Sequence, residues 1–207
     1  MPEPVRKLTR SERNEDIKRR LFAAAARIVG DLGYAEASIA RITDLAGVAQ
    51  GSFYNHFENR QALLDELLPT LGMEMARFIQ AQTRTIRPEA DREIARFHAF
   101  FDYLRENPGF HRILNEAEFA APAAFQRHIA NMAAPYQRLL HRAQARGELG
   151  GFDDREIEVI VHMLMGARSY LSQRVPDPSR DDPLFSAYAR LLREGLFGGR
   201  RAVSLTE

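Results

Sequence analysis

Cysteine and tryptophan are both missing from these 207 residues. Without thiols there is no disulfide framework, no thiolate nucleophile and no Cys-ligated zinc, which suits a reducing compartment. Net charge is nearly absent too. Twenty-nine Lys and Arg stand against 28 Asp and Glu, leaving +1, so only the local distribution of charge can draw a polyanion. No window approaches eighteen consecutive apolar residues, and the N-terminus lacks the apolar core of a signal peptide. The sequence therefore gives no sign of a membrane partner, and the cytoplasm is the expected compartment. Runs of strand period and internal repeats are also missing. So are a Gly-rich phosphate loop, a His-Glu-x-x-His pair and a Gly-x-Ser-x-Gly elbow, which leaves an enzymatic reading without a motif.

What is present is helical periodicity in a chain that is 45% hydrophobic and 28% charged, a balance that suits compact domains. Ile17, Leu21, Ala24, Ile28 and Leu32 recur at three- and four-residue steps up to Gly33, which predicts a first helix. Ser38 is placed to cap a second, with Ile39, Ile42 and Ala46 inward and Gly47 supplying the positive φ that ends it. Val48, Phe53 and Phe57 mark the inner face of a third. Asn59 then caps a long fourth helix carrying Leu63, Leu64, Leu67, Leu71, Met75 and Phe78, with Pro69 inside it. Further stripes begin at Ile94, Phe110 and Phe125, separated by Asn107-Pro108-Gly109 and Pro122. "IEVIVHMLMGA", residues 157–167, is apolar almost all round, and Leu184 to Leu196 make a last helix. The expected fold is all-α. A flexible basic arm at 1–13, a helix-turn-helix domain at 14–60, a larger helical domain at 61–198 and a flexible tail at 199–207 are its expected parts.

The stretch "GVAQGSFYNHF", residues 47–57, holds the functional signal. Two helices of about eight residues are too short to persist alone, so they need the first helix as a floor, and a tight turn at Gly47 sets them at a steep angle as a helix-turn-helix. Gln50, Ser52, Tyr54, Asn55 and His56 then point outward, with tips of the kind that reach base edges and phosphates. A solvated polar face has the same composition. An internal glycine costs about 1 kcal/mol against alanine in a helix, so Gly51 needs a reason: close approach to DNA, or close packing on a neighbouring helix. The local basic excess at Arg6, Lys7, Arg10, Arg13, Lys18, Arg19 and Arg20 can lie along phosphates or simply be a solvated arm.

The run "ASIARITDLAGVAQGSFYNHFENRQALL", residues 37–64, resembles the DNA-binding signature of the tetracycline-repressor (TetR) family of bacterial regulators, with cap, turn, internal Gly, aromatic-Tyr pair and exit motif in register. The resemblance implies that Ser38 touches phosphate at a helix start, that Tyr54 and His56 anchor the third helix to the backbone, and that Arg60 meets phosphate at the start of the fourth. Gln50, Gly51 and Ser52 would lie nearest base edges. The sequence departs from the family at Ala49 and Gln50, where Ser and Lys are common, and at Arg41, where an acidic residue is common. The family also implies a small-molecule pocket and a four-helix dimer interface in the second domain.

No metal or cofactor is expected: His98, His111, His128 and His162, with Glu116 and Glu118, lack the i, i+4 pairing of a helical metal site. The aromatic and methionine-rich cluster reads as core or as the lining of a pocket for a hydrophobic or amphipathic effector. As a pocket it comprises Phe97, Phe101, Phe110, Leu114, Phe125, His128, Met132, Tyr136, His162 and Met165, with Asn131 and Arg168 as further polar handles. The apolar helices are explained by a homodimer meeting through Ile157, Ile160, Leu164, Leu171, Leu184, Tyr188, Leu191 and Leu192, or by full enclosure within a monomer. The expected function is a ligand-responsive regulator, a repressor binding a pseudo-palindromic operator on double-stranded DNA. The alternatives are an activator, a dimeric interaction module without DNA affinity, and an enzyme with an unrecognised aromatic pocket.

Overall fold

The computed structural model describes residues 9–198. The expected arm at 1–13 lies largely outside the described residues, and the expected tail at 199–207 lies wholly outside them. Among the described residues every regular element is helical: α1 Arg10–Leu32, a 3-10 turn Tyr34–Glu36, α2 Ile39–Ala46, α3 Gln50–Phe53, α4 Arg60–Thr83, α5 Glu89–Glu106, α6 Gly109–Ala120, α7 Pro122–Ala145, α8 Asp154–Arg174, α9 Pro183–Leu191 and a π turn Leu192–Leu196. The protein is all-α, as its periodicity predicts. Among these residues no helix is long and apolar enough to cross a membrane.

The expected punctuation is in place. Ser38 Oγ accepts from the Arg41 amide, Gly47 ends α2 at φ 63°, and Asn59 Oδ1 accepts from the Ala62 amide. Two capping boxes also stand, Thr9 with Glu12 before α1 and Asp153 with Glu156 before α8.

The helices gather into two compact units. One holds the chain up to Leu71 together with Pro108–Arg127, the other Gly72–Asn107 with His128 onward. In the first, α1 is the floor: Leu21, Ala25 and Val29 are fully enclosed, as are Ile42 and Phe53, and the Phe22 and Phe57 rings meet edge to face at 5.5 Å. Helix α6 belongs here because it crosses α1 glycine on glycine. A Cβ on Gly30 would stand 2.7 Å from Gly109 Cα, a separation only two bare backbones permit. Glu116 of α6 also accepts from the Tyr34 amide at 2.9 Å, and Arg112 donates to the Asp31 carbonyl.

In the second unit the inner face of α5 carries charge as well as aromatics. Phe97, Phe100 and Phe101 are buried, and so are Glu89, Arg92, Glu93 and Arg96. Phe97 stacks on Tyr188 at 3.8 Å, and Phe185 meets both Phe97 and Phe101 edge-on. Phe119 of α6, in the first unit, is 86% exposed. Helix α8 is not enclosed all round. Ile157, Val161 and Leu164 face the interior of their own unit, whereas Val159, Met163 and Tyr170 are more than half exposed.

Candidate nucleic-acid interface

The turn between α2 and α3 is built by local chemistry. Gly47 takes the left-handed backbone, its amide bonds to the Asp44 carbonyl, and the Val48 amide returns to the Thr43 carbonyl at 3.0 Å. Thr43 is buried and bonds back to the carbonyls of Ile39 and Ala40. From this turn α3 runs for only four residues, followed by a turn through Tyr54–His56 in which the His56 and Phe57 amides bond to the Phe53 carbonyl. The expected third helix is therefore about half its expected length. Phe53 and Phe57, both inward, pin it to α1 in place of helix length.

Most of the residues expected to meet DNA share the outer edge of this hairpin. Ser38, Arg41, Ala49, Gln50, Gly51, Tyr54 and Asn55 are exposed, and Ser52 and His56 are half-buried. A Cβ built on Gly51 meets no neighbouring atom within 4 Å, which removes packing on another helix as the reason for that glycine. Ala49 stands at the N-cap of α3 and supplies no side-chain cap. Tyr54 meets the Phe53 ring edge to face at 5.5 Å and is more than half exposed.

Three arginines are held in ways that spacing alone does not reveal. Arg41 sits three residues after the Ser38 cap, where an acidic side chain would close a capping box, and instead pairs with Glu36. Arg60 turns back from the start of α4, its Nε donating to the Ala37 carbonyl at 2.7 Å and its Nη2 to the Tyr34 carbonyl. Arg20 of α1 donates to the carbonyls of Ala46 and Gly47 at the end of α2. The roles of Arg60 and Arg20 are hard to read from sequence because carbonyl acceptors have no residue identity.

The residues expected to line an effector pocket are divided between the two units. Phe110, Leu114 and Phe125 belong to the first unit, and the remaining seven to the second. There Phe97 and Phe101 are packed core, His162 is exposed, and Met132 and Met165 are half-buried. His128 is buried against Gly72 of α4. Burial pushes its imidazole down to about 4. The polar centre that sequence reasoning missed surrounds Glu93. Its carboxylate accepts from Arg168, from Arg96 at 3.1 Å and from the Tyr188 hydroxyl at 3.1 Å, and Arg168 also donates to the Tyr136 hydroxyl. Burial alone would push this carboxyl up, but Arg168 and Arg96 hold it below the ordinary range. Arg168, expected as a polar handle, is thus already engaged, although its buried Nε has no hydrogen-bond partner among the described residues. No group of three or more metal-ligating side chains forms among those residues.

Residues 21–67 match the family described as bacterial regulatory proteins, tetR family. The chain is 27% identical over 113 residues to the HTH-type transcriptional activator FasR of Mycolicibacterium smegmatis, covering 55% of this chain and 50% of that one. It is 24% identical over 182 residues to the uncharacterized HTH-type transcriptional regulator YhgD of Bacillus subtilis, covering 85% and 79%. The chain spans about half the length of the first curated relatives it matches. Among solved structures, a TetR family transcription regulator from Marinobacter aquaeolei superposes with a TM-score of 0.71 at 15% identity, covering 90% of this chain and 98% of the other. The Bacillus subtilis regulator FadR in complex with stearoyl-CoA gives 0.69 at 17%, covering 84% and 96%. These two likenesses concern the fold. The helix-turn-helix lies inside the segment that matches the tetR family of bacterial regulatory proteins, and the helical frame around it is the one those solved regulators share.

Proposed function

We propose that the protein is a cytoplasmic, homodimeric transcriptional regulator that represses by binding double-stranded DNA and is released by a hydrophobic or amphipathic small molecule. The observation that carries this reading is the outer edge of the hairpin. Gly51 leaves its side-chain space empty beside exposed Gln50, Tyr54 and Asn55, so a base edge or phosphate can approach the backbone directly.

The dimer reading rests on the apolar strip that α8 and α9 leave uncovered: Val159, Met163, Tyr170 and Leu191. Of the residues expected at this interface, Ile157, Leu164, Tyr188 and Leu192 are enclosed within their own unit, and Ile160, Leu171 and Leu184 are half-buried. Leu191 alone of that set is exposed. The contact set is therefore shifted round the helix to Val159, Met163 and Tyr170. A two-fold pair places two recognition helices about one DNA turn apart and calls for a pseudo-palindromic site.

Release follows from coupling. An effector that favours a helix arrangement with the wrong spacing lowers DNA affinity, and DNA lowers effector affinity by the same factor. The stearoyl-CoA complex of FadR supports an amphipathic effector class. The name of FasR favours activation as a second reading, since the sign depends on where the operator lies. A reporter placed downstream of the operator separates the two.

The test is selection of bound duplexes from a random library by the purified protein, followed by a salt titration on the winner. Enrichment of a two-fold symmetric site, with affinity falling steeply as salt rises, is expected. A folded, dimeric sample that enriches nothing at low salt overturns the reading in favour of an interaction module or enzyme.

A further inference from the structure

Helix α2 has eight residues and carries no basic residue in its own last turn to meet the negative end of its dipole. A residue 26 positions earlier supplies what is missing. Arg20 Nε donates to the Ala46 carbonyl at 2.9 Å, Nη2 to the same carbonyl at 2.5 Å and to the Gly47 carbonyl at 2.8 Å. A single planar fork thus closes the end of α2 and grips the first residue of the turn. The grip and the turn depend on each other, because a Cβ on Gly47 would stand 3.0 Å from Arg20 Nη2. Asp16, one turn back on α1, lies 3.8 Å from Arg20 Nη1 and steadies the guanidinium from the other side.

We propose that Arg20 is the positioning residue of the helix-turn-helix. It locks α2 and the Gly47 turn to α1, thereby fixing the direction in which α3 is presented, and it acts through backbone carbonyls rather than by touching phosphate. This rests on the DNA-binding reading. The rival assignment is that Arg20 is one of the phosphate-contacting basic residues near the N-terminus, and its side chain is 42% exposed, so reach alone does not decide between them. The two roles differ in what lysine can replace. An ammonium serves as a point charge on phosphate but cannot reproduce a fork over two successive carbonyls.

The experiment uses the full-length dimer and the operator duplex selected by the wild type, with Arg20→Lys and Arg20→Gln. Positioning predicts that both variants lose about tenfold in affinity, since hydrogen bonds to charged groups of this kind are lost in both. It also predicts that the slope of log affinity against log salt stays at the wild-type value. In the protein without DNA, the Gly47 and Val48 amides, bonded to the carbonyls of Asp44 and Thr43, exchange faster in both variants, while amides of α8 keep wild-type rates and show that the chain is folded. Arg20→Lys binding like the wild type while Arg20→Gln lowers the salt slope by about one overturns the proposal in favour of phosphate contact. Unchanged exchange at Gly47 and Val48 overturns it as well. If the wild type itself selects no duplex, the DNA-binding reading fails, and the exchange measurement still decides whether Arg20 holds the turn.

Discussion

Gly30 and Gly109 meet backbone to backbone: a Cβ on either would lie within 3.0 Å of the other's Cα, 2.7 Å in one direction and 2.9 Å in the other. This crossing is what makes α6 part of the first unit, and it fixes the sign of a mutation. In an unobstructed helix interior, alanine in place of glycine stabilises by about 1 kcal/mol. Here the neighbour is rigid main chain, so Gly30→Ala is expected to destabilise by about 1–3 kcal/mol as an overpacked contact. Urea unfolding measures it. A variant as stable as the wild type, or more so, removes the close crossing.

Glu93 predicts a larger effect. It is fully buried, and its partners Arg168 and Arg96 are nearly so. Removing one member of such a group leaves uncompensated buried charge, typically at a cost of about 3–5 kcal/mol. Glu93→Gln is expected in that range. Arg168→Met in the same chain should recover part of the loss, because one stranded cation is then gone. A double-mutant cycle by chemical denaturation reads the coupling, and strictly additive losses would show that the pair does not interact.

The charged centre and the hairpin differ in how far they could be read from sequence. Ser38, Gly47 and Asn59 act within three residues of themselves, through capping and a left-handed backbone, so residue type at a fixed offset identifies them. Period alone placed the helices for the same reason. Glu93 and Arg168 are 75 residues apart, and on α5 the acidic and basic side chains occupy the spacing of a solvated face. Only their mutual neutralisation lets that face turn inward. Helix α8 misled in the opposite sense. Its residues are apolar on both sides, so hydropathy could not say which side its own unit covers, and the inward choice of Ile157 and Leu164 over Val159 and Met163 is a tertiary decision. Arg20 and Arg60 bind carbonyls, which every residue carries, and so left no pattern to find.

His128 links stability to pH. It is 3% exposed, and burial lowers its imidazole to about 4, against about 6.5 for an unperturbed histidine. Below pH 6.5 the unfolded chain takes up a proton that the folded chain refuses. Stability is therefore complete above that value and falls as pH drops from 6.5 toward 4, by up to about 3 kcal/mol. His128→Asn should flatten this part of the profile. Comparing unfolding free energies of both proteins at pH 7 and pH 5 checks it, and identical slopes would place the imidazole in water.

The hairpin edge separates stability from DNA binding. Because a Cβ on Gly51 meets nothing within 4 Å, Gly51→Ala is expected to leave the free protein as stable as the wild type or to stabilise it by up to about 1 kcal/mol. On DNA the same methyl would occupy the space through which the duplex approaches, so affinity should fall although the fold is intact. The exposed neighbours divide the loss by kind. Tyr54→Phe, which removes only a hydroxyl from a ring 55% exposed, should weaken binding to all duplexes alike as a phosphate contact. Gln50→Ala should cost about 1–3 kcal/mol at its preferred bases and relax selectivity there. Binding each variant to the selected operator and to single-base substitutions of it distinguishes the two patterns. If Gly51→Ala binds as tightly as the wild type, the edge does not approach DNA closely. If Tyr54→Phe leaves every affinity unchanged, α3 is docked differently from the arrangement proposed here.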